Sequence, residues 1–356
     1  MKNLNPTNIL MLKSHSAGIG DILRSSAAWR ALKNRYPQAK LNLLFISNNV
    51  GYPSEKLISK HHLIDSFYVI DKNWFNSQRF FIDALRESDK VIKEVKPDFI
   101  IDFEPYGLET TWVAVIGRFK YKVKTLGINE VFPRGFLYSM YASSVKSFMK
   151  KHNIKILNYT DRDFIVLDKL GIERDRIPIE ISETEKGRQF RESYRNKFGI
   201  PIYREILLVN ICCGTPDALN RRVDMDVIEN IILYGVKKYN LTPVLMGADF
   251  EKQINKELEN RLKKQNITVF NLAGETDIEE SVGLINDATI FISGDSGPYH
   301  IGVALKKPTI AIFNFKEMIE TAGHFHPWVK CVYGPSVAYL DEVKEAFDSL
   351  YSNLKS

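Results

Sequence analysis

The sequence has few cysteines and no long apolar segment. The first shortage argues against a zinc-binding or disulfide-rich protein, and the second argues against a membrane-spanning one. Its 356 residues include three cysteines, Cys212, Cys213 and Cys331, which match no zinc-ligand spacing and no disulfide framework. No apolar run approaches the roughly 20 residues of a membrane-spanning helix, and the segment from Met1 to Asn8 lacks the basic and then apolar pattern of a secretory leader. We therefore expect a cytoplasmic protein that is not integral to a membrane, with its cysteines buried as small apolar residues.

Internal repeats and low-complexity tracts are also missing, and the composition, 44% hydrophobic and 26% charged, is that of an ordinary globular protein. The chain is longer than the roughly 250–300 residues that usually fold around one hydrophobic core, so two domains are expected. Residues 1–175 carry 27 lysines and arginines against 18 acidic residues, whereas residues 176–356 carry 22 against 25. This asymmetry favours an anionic partner for the first half, and a solvated basic face is the alternative.

Short apolar runs alternate with helical patterns along the chain, which predicts an α/β fold with parallel sheets flanked by helices. The runs fall into two sets, and these predict two doubly wound domains, residues 1–175 and 204–335, joined by a charged linker at 176–203. Residues 336–356 are expected to form a helix with one buried apolar face. The predicted strands are Asn8–Lys13, Leu41–Ser47, Phe67–Ile70, Phe99–Phe103, Val123–Gly127, Ile206–Ile211, Pro243–Gly247, Val269–Leu272, Ile290–Ser293 and Thr309–Phe313.

The segment Thr289–Phe313 predicts a buried strand, a tight turn, a short helix and a second buried strand. Asp295 or Ser296 can cap the helix, and Pro298 suits its first turn, where no amide donor is lost. Free amides and the positive end of the helix dipole favour a bound phosphate at this turn, within reach of His300. An ordinary capped turn is the alternative interpretation.

A glycine-rich loop, Lys13–Arg24, follows the first predicted strand. Gly18 and Gly20 fit the first two positions of a dinucleotide-binding fingerprint, but Leu23 occupies the third, and the second strand offers no acidic residue for a ribose. We therefore disfavour a dinucleotide site. Asp21 is a lone carboxylate at the start of a helix, where it can either cap the helix or accept a proton from a substrate hydroxyl.

In the second half, a turn at Gly214 leads to the arginine pair Arg221 and Arg222. A guanidinium fork matches phosphate oxygens, so this pair suits a diphosphate, with a surface charge pair as the alternative. Gly247 ends the next predicted strand and is expected on the same ligand-binding rim.

Together these segments resemble glycosyltransferase family 9, which contains the ADP-heptose:lipopolysaccharide heptosyltransferases. The resemblance covers nearly the whole chain with its elements in the same order. It implies the GT-B fold, in which two Rossmann-like domains face each other across a cleft. The motifs that carry the resemblance are Ile19-Gly20-Asp21, Ala31-Leu32-Lys33, Tyr36-Pro37, Asn271-Leu-Ala-Gly274, Asn286-Asp-Ala288, Asp295 through His300, and Lys307-Pro308.

The resemblance further implies an inverting glycosyl transfer with ADP-heptose as the favoured co-substrate and with no cofactor. Asp21 matches the family's proposed general base. No metal ligands are expected, because the Asp-x-Asp elements at 161–163 and 224–226 are better explained as helix caps. The expected donor-binding residues are Gly214, Arg221, Arg222, Gly247, Asp295, Ser296, Gly297 and His300, and the expected acceptor-binding residues are Ser16, Gly18, Gly20, Arg24 and Asp102.

Two features depart from the best-known heptosyltransferases: the loop Ser14–Gly18, around which acceptor specificity is built, is longer, and Ser26 and Ala27 stand near their usual proline. The basic first half favours an anionic glycan or glycolipid such as a lipopolysaccharide core, with peripheral contact to the inner membrane and no nucleic acid. A non-catalytic nucleotide-sugar binding protein and a nucleotide-sugar epimerase of the same architecture are the alternatives. In GT-B proteins the last helix commonly crosses back to the first domain, and we expect the same of residues 336–356.

Overall fold

The computed structural model describes residues 4–15, 18–174, 177–211 and 219–355. The chain divides into two compact units, Met1–Ile179 and Glu180–Ser356. Each unit has its own parallel sheet and its own hydrophobic core.

The described part of the first unit forms a six-stranded parallel sheet in the order β3-β2-β1-β4-β5-β6. Its strands are β1 Asn8–His15, β2 Lys40–Ser47, β3 Ser66–Asp71, β4 Phe99–Asp102, β5 Lys124–Ile128 and β6 Met140–Ala142. Its α-helices are α1 Ile19–Leu23, α2 Ser26–Arg35, α3 Pro53–Ser59, α4 Lys72–Asn76, α5 Phe81–Val95, α6 Leu108–Lys120, α7 Val145–Lys151 and α8 Phe164–Leu167. Short 3₁₀ turns occupy Arg134–Leu137, Tyr159–Asp161 and Asp168–Leu170.

The second unit repeats this arrangement over its described residues, in the order β12-β11-β10-β7-β8-β9. Its strands are β7 Ile206–Asn210, β8 Thr242–Met246, β9 Phe270–Asn271, β10 Ile290–Gly294, β11 Thr309–Phe313 and β12 Val329–Tyr333. Its α-helices are α9 Glu185–Phe198, α10 Met225–Tyr239, α11 Lys252–Lys264, α12 Ile278–Asp287, α13 Gly297–Ala304, α14 Lys316–Ala322 and α15 Leu340–Lys355. Its 3₁₀ turns are Leu219–Arg221, Asp249–Glu251 and Val337–Tyr339.

Counted within each unit, both sheets have the Rossmann strand order 3-2-1-4-5-6. The order reverses between β1 and β4 in the first unit and between β7 and β10 in the second. Ligands of such sheets bind outside the carboxyl ends of the strands at this reversal, so these two places define where functional residues are sought. All ten predicted strands are confirmed, whereas the edge strands β6 and β12 escaped prediction.

The central strands are buried on both faces, which explains their unbroken apolar sequences. Residues 9–12 of β1 are fully buried, because helices cover both sides of the sheet. On one side, α5 contributes Val91, Ile92 and Val95 to the cluster that surrounds β1. This packing holds β1 at the centre of the sheet.

The segment predicted as a linker, residues 176–203, contains helix α9, which packs on α12 of the second unit. Gly187 and Gly283 allow the two helices to approach closely, because a Cβ atom at Gly283 would collide with the carbonyl oxygen of Gly187. The Arg195 guanidinium also donates to the Asp287 carboxylate over 2.8 Å. Much of the predicted linker is therefore an integral part of the second unit.

The C-terminal helix α15 also packs on the second unit. Val343, Phe347 and Leu350 are buried in the same core cluster as strand β7 and helix α10. The ring of Phe347 stacks on Tyr239 of α10 with 5.5 Å between the ring centroids. The apolar face of α15 is thus buried within the second unit, and the expected crossing of residues 336–356 to the first domain stays a prediction.

Candidate functional site

A buried network of hydrogen bonds joins the carboxyl ends of β7 and β10, where the strand order of the second unit reverses. The Asn210 side-chain amide donates to the hydroxyl of Ser293 over 3.1 Å and to that of Ser296 over 3.2 Å. The two hydroxyl oxygens lie 2.9 Å apart, which is hydrogen-bond distance. These bonds hold the turn between β10 and α13 against the neighbouring strand.

Ser296 is the N-cap residue of α13, but its side chain does not cap the helix. The hydroxyl is instead used in the network with Asn210 and Ser293, so the predicted capping by Ser296 is corrected. The eight-residue helix α13 begins at Gly297 with Pro298 in its first turn. Its N-terminal amides and the positive end of its dipole lie beside Ser296 at the carboxyl end of the sheet, an arrangement suited to an anionic group.

Arg221 extends to this turn from the segment that precedes α10. Its guanidinium lies 3.5 Å from the buried carboxylate of Asp295, and 38% of its side chain is exposed. Asn314, which follows β11, donates its side-chain amide to the backbone carbonyls of Asn220 and Arg222 over 2.8 and 2.9 Å. The arginine pair is therefore fixed at the carboxyl ends of the central strands, with Arg221 paired to Asp295.

His300 is buried in α13 and pairs with a second histidine that sequence reasoning missed. Its Nδ1 lies 2.9 Å from Nε2 of His324, and His324 donates its backbone N–H to the Tyr299 hydroxyl over 2.9 Å. Burial raises the pKa of the Tyr299 phenol well above its usual value, so the group stays neutral. His324 lies in the loop between α14 and β12, a position that the sequence gives no reason to associate with α13.

Three glycines are also predicted to bind the donor, and the structure describes two of them. Gly297 is the first residue of α13, and Gly247 directly follows β8, so both lie at the carboxyl edge of the second sheet. Gly214 lies outside the described residues. No binding role of these glycines is tested, and all three stay predictions.

In the first unit, Asp21 occupies the first turn of α1, close after the carboxyl end of β1. Its carboxylate accepts a hydrogen bond from Arg24 over 3.1 Å, and 46% of its side chain is exposed. The N-cap residue is Gly18, and a Cβ atom there would lie 2.8 Å from the Asp21 carboxylate. Glycine at position 18 thus lets the carboxylate fold back over the start of the helix while it stays open to solvent.

Two arginines approach the same tyrosine ring beside this helix. The guanidinium of Arg24 lies 5.0 Å from the ring centroid of Tyr159, and that of Arg162 lies 4.4 Å from it. Arg24 is therefore held by both a carboxylate and an aromatic face. Gly20 lies inside α1 and accepts the backbone N–H of Arg24 over 3.0 Å, while Ser16 lies outside the described residues.

Asp102, predicted to bind the acceptor, is fully buried at the end of β4. Its carboxylate accepts hydrogen bonds from Arg134 over 2.9 Å, from the Tyr138 hydroxyl over 2.6 Å and from the Glu104 backbone over 2.9 Å. Burial raises the pKa of Asp102 to about 6, and the Arg134 guanidinium limits that rise. This corrects the predicted role: a side chain enclosed by three protein donors positions the loop after β4 and has no open side for a substrate.

Arg134 carries this support into the loop itself. It donates to the backbone carbonyl oxygens of Glu104, Pro105 and Gly107 over 2.5 to 3.0 Å. A single buried guanidinium thereby fixes the loop that follows the reversal point of the first sheet.

The same loop lines a cavity of about 300 Å³, in which charged side chains lie among apolar ones and which sequence reasoning also missed. Lys13 forms an ion pair with Asp163 over 2.5 Å, and Lys72 forms one with Glu109 over 2.8 Å. Burial by itself lowers the pKa of Lys13, but the carboxylates of Asp163 and Glu104 raise it above the usual value, so Lys13 stays a cation. The cavity combines charges of both signs at the carboxyl end of β1.

Comparisons with known proteins are consistent with this architecture. Residues 236–340 match the model of Glycosyltransferase family 9 (heptosyltransferase). A Lipooligosaccharide heptosyltransferase 2 of Campylobacter jejuni is 37% identical over 78 residues, which are 22% of this chain and 23% of that protein. Lipopolysaccharide heptosyltransferase 3 of Escherichia coli is 22% identical over 322 residues, 87% of this chain and 83% of that protein. The solved structure of a glycosyl transferase family 9 protein from Veillonella parvula has a TM-score of 0.75 and 16% identity, covering 98% of this chain and 97% of that one.

Two Rossmann-type sheets and the likeness to a solved structure over nearly the full length confirm the predicted GT-B fold class. The predicted resemblance to glycosyltransferase family 9 is likewise confirmed, in sequence over residues 236–340 and in fold over 98% of the chain. The aligned stretch spans about a quarter of the Campylobacter jejuni relative. Across the described ranges of the chain, no helix has both the length and the apolar character needed to cross a membrane.

Proposed function

We propose that the chain is an inverting, metal-independent glycosyltransferase that transfers heptose from ADP-heptose to a lipopolysaccharide core or another surface glycan. The observation that carries this proposal is the exposed carboxylate of Asp21 at the carboxyl end of β1, in a chain whose second unit has an anion-compatible turn at α13. The heptosyltransferases of Campylobacter jejuni and Escherichia coli support heptose as the sugar. ADP-heptose acts here as a co-substrate, and no cofactor takes part.

The donor's diphosphate would bind at the start of α13. Ser296 and Gly297 lie where backbone amides and the helix dipole favour negative charge, and Arg221 supplies a partly exposed guanidinium. Asp295 holds this guanidinium in place from its buried side. His300, fixed by His324, would contact the diphosphate or the adjoining sugar.

Asp21 would act as the general base in the proposed reaction. It removes the proton from an acceptor hydroxyl, whose oxygen attacks the anomeric carbon from the face opposite the diphosphate. The bond to the leaving diphosphate breaks, and Arg221 and the α13 amides stabilise its developing charge. The sugar is thereby transferred with inversion, and the proton stays on Asp21 until it is released to water.

The acceptor would be an anionic glycan or glycolipid that contacts the first unit near Gly18, Gly20 and Arg24. The excess of basic residues in 1–175 supports a negatively charged acceptor. We propose a cytoplasmic enzyme that contacts the inner membrane peripherally, where such an acceptor is assembled, and that binds no nucleic acid.

Product analysis with and without an acceptor tests this proposal. The purified chain is incubated with ADP-heptose and a lipopolysaccharide core lacking its terminal heptose, in buffer containing EDTA. We expect ADP and an extended core, with inverted anomeric configuration by NMR. An isomerised ADP-sugar formed without acceptor would show an epimerase, and nucleotide binding without any product would show a non-catalytic binding protein.

A further inference from the structure

The first unit exposes an unusual number of large apolar side chains between residues 106 and 141. Nine of the 20 large hydrophobic residues that the described chain exposes fall in this interval. We call the surface formed by six of them the aromatic face. Its members are Leu108, Trp112, Phe119, Phe132, Phe136 and Tyr141.

The aromatic face has two halves, which are linked by one arginine. Leu108, Trp112 and Phe119 follow the helical spacing of 4 and 7 residues, so they share one side of α6. Arg118 lies 4.9 Å from the centroid of the Phe119 ring and donates to the carbonyl of Phe136 over 2.6 Å. It thereby connects this side of α6 to the segment that follows β5.

The second half of the aromatic face is a small cluster of rings at the edge of the sheet. The ring centroids of Phe132 and Phe136 are 5.9 Å apart, and those of Phe136 and Tyr141 are 6.4 Å apart. The exposed fractions of Phe132 and Phe136 are 77% and 65%. The three rings contact one another, yet most of the area of Phe132 and Phe136 stays open to solvent.

A rigid support presents this cluster. Arg134 lies between Phe132 and Phe136 in the chain, and its guanidinium is buried against Asp102. Arg118 holds the carbonyls of Phe136 and Tyr138 as well. Because the backbone is fixed by buried partners, ordering the exposed rings on a binding surface would lose little conformational entropy.

Basic residues border the aromatic face and indicate its partner. Lys120, the last residue of α6, and the following Lys122 and Lys124 are exposed, and Lys120 pairs with Asp89 over 2.7 Å. Aromatic rings beside lysines match the interface of an anionic bilayer, in which rings lie at the headgroup level and cations meet lipid phosphates. Self-association through the same face would instead bring the lysines of two copies towards each other.

We propose that the aromatic face docks the first unit onto an anionic lipid bilayer, with the six apolar side chains at the headgroup level and Lys122 and Lys124 on lipid phosphates. This inference rests on the proposed function in that the acceptor would be held in the same membrane. Docking itself requires neither donor nor transfer, so it is measured separately from activity.

Vesicle co-sedimentation of the full chain tests the docking. The variant Phe132→Ser with Phe136→Ser is compared with a control, Ile202→Ser with Tyr203→Ser, whose side chains are 70% and 84% exposed at the amino end of β7. On vesicles of phosphatidylglycerol and phosphatidylcholine, we expect the aromatic variant to bind at least about tenfold more weakly, since burying apolar side chains drives interfacial binding. The control should bind like the native chain, and phosphatidylcholine alone should bind little.

A second pair of measurements separates docking from the alternatives. Lys122→Gln with Lys124→Gln should reduce both binding to the anionic vesicles and its dependence on salt. Equal binding by the native chain and the aromatic variant would overturn the proposal, as would sedimentation velocity showing that the native chain dimerises and the variant does not. ADP should raise the melting temperature of the native chain and of the aromatic variant equally. If ADP does not stabilise the native chain, that result would count against the proposed function and not against the docking.

Discussion

Asp21 and Asp83 occupy the same position in two helices, and each carboxylate accepts a hydrogen bond from the arginine three residues later. The distance is 3.1 Å from Arg24 to Asp21 and 3.2 Å from Arg86 to Asp83. The exposed fractions of the two carboxylate side chains are 46% and 48%. They differ in their place in the fold, because α1 follows β1 at the reversal of the strand order, whereas α5 follows α4 and the edge strand β3.

Comparing variants at these two positions distinguishes a catalytic role of Asp21 from a purely structural one. If Asp21 is the general base, Asp21→Asn should lower kcat by roughly 10²–10⁴-fold, with donor affinity little changed. Asp83→Asn removes an equivalent ion pair and should leave kcat unchanged. Steady-state kinetics with ADP-heptose make the comparison, and similar activity of the two folded variants would reduce Asp21 to a helix-start carboxylate.

Arg221 should discriminate between ligands with and without phosphates. Arg221→Gln is expected to weaken ADP binding by roughly 10- to 100-fold, because it removes a charge-assisted hydrogen bond donor, and to leave adenosine binding unchanged. Arg204→Gln is the control, since Arg204 lies before β7 and donates to the Asn240 backbone. Calorimetric titration with both ligands is the measurement, and equal losses for ADP and adenosine would rule out a phosphate contact.

The sequence predicted the central strands well because strands buried on both faces have continuous apolar sequences. In a chain that alternates strands and helices, a continuous apolar run such as that of β1 indicates a strand that is buried on both faces of a parallel sheet. The edge strands β6 and β12 have a weaker signal in the sequence, since β6 has three residues and β12 is only partly buried. The turn at Ser296 was predicted for the same reason as the central strands, because a buried strand leads directly into it.

Errors arose where a residue's partner is distant in sequence. Asp102 stands at the end of a strand, where ligand-binding residues are common, and only the fold shows that Arg134 and Tyr138 enclose it. The pairing of His300 with His324 depends on a loop whose path has no local signal. The apolar face of α15 predicts burial but does not specify which core it joins.

The carboxyl of Asp102 should make stability fall as pH rises through weakly acidic values. Burial raises its pKa to about 6, so the folded chain holds this proton more tightly than the unfolded chain, whose carboxyl has a pKa of about 3.9. The contribution of this protonated carboxyl to the free energy of unfolding is fully present below about pH 4 and is lost as pH rises through about 6. Relative to Asp102→Asn, the native chain should lose on the order of 2–3 kcal/mol between pH 4 and pH 7.

Urea unfolding of both proteins at several pH values measures this slope. Leaving Arg134 without its partner destabilises the Asp102→Asn variant at every pH in the window, so the change with pH and not the offset is compared. A native chain that gains stability relative to the variant over this window would contradict the raised pKa. Carbon NMR of the Asp102 carboxyl gives the midpoint directly.

Phe347 should be the main anchor of α15 in the second unit. It is fully buried, stacks on Tyr239 and meets Tyr234 edge-on, so Phe347→Ala leaves a cavity between α15 and α10. We expect a loss of about 3–5 kcal/mol in the free energy of unfolding. Leu354→Ala on the same helix is the control, because 43% of that residue is exposed, and should change stability by less than about 1 kcal/mol. Hydrogen exchange should show the loss of protection in the second unit, whereas loss confined to the first would mean that α15 stabilises the other core.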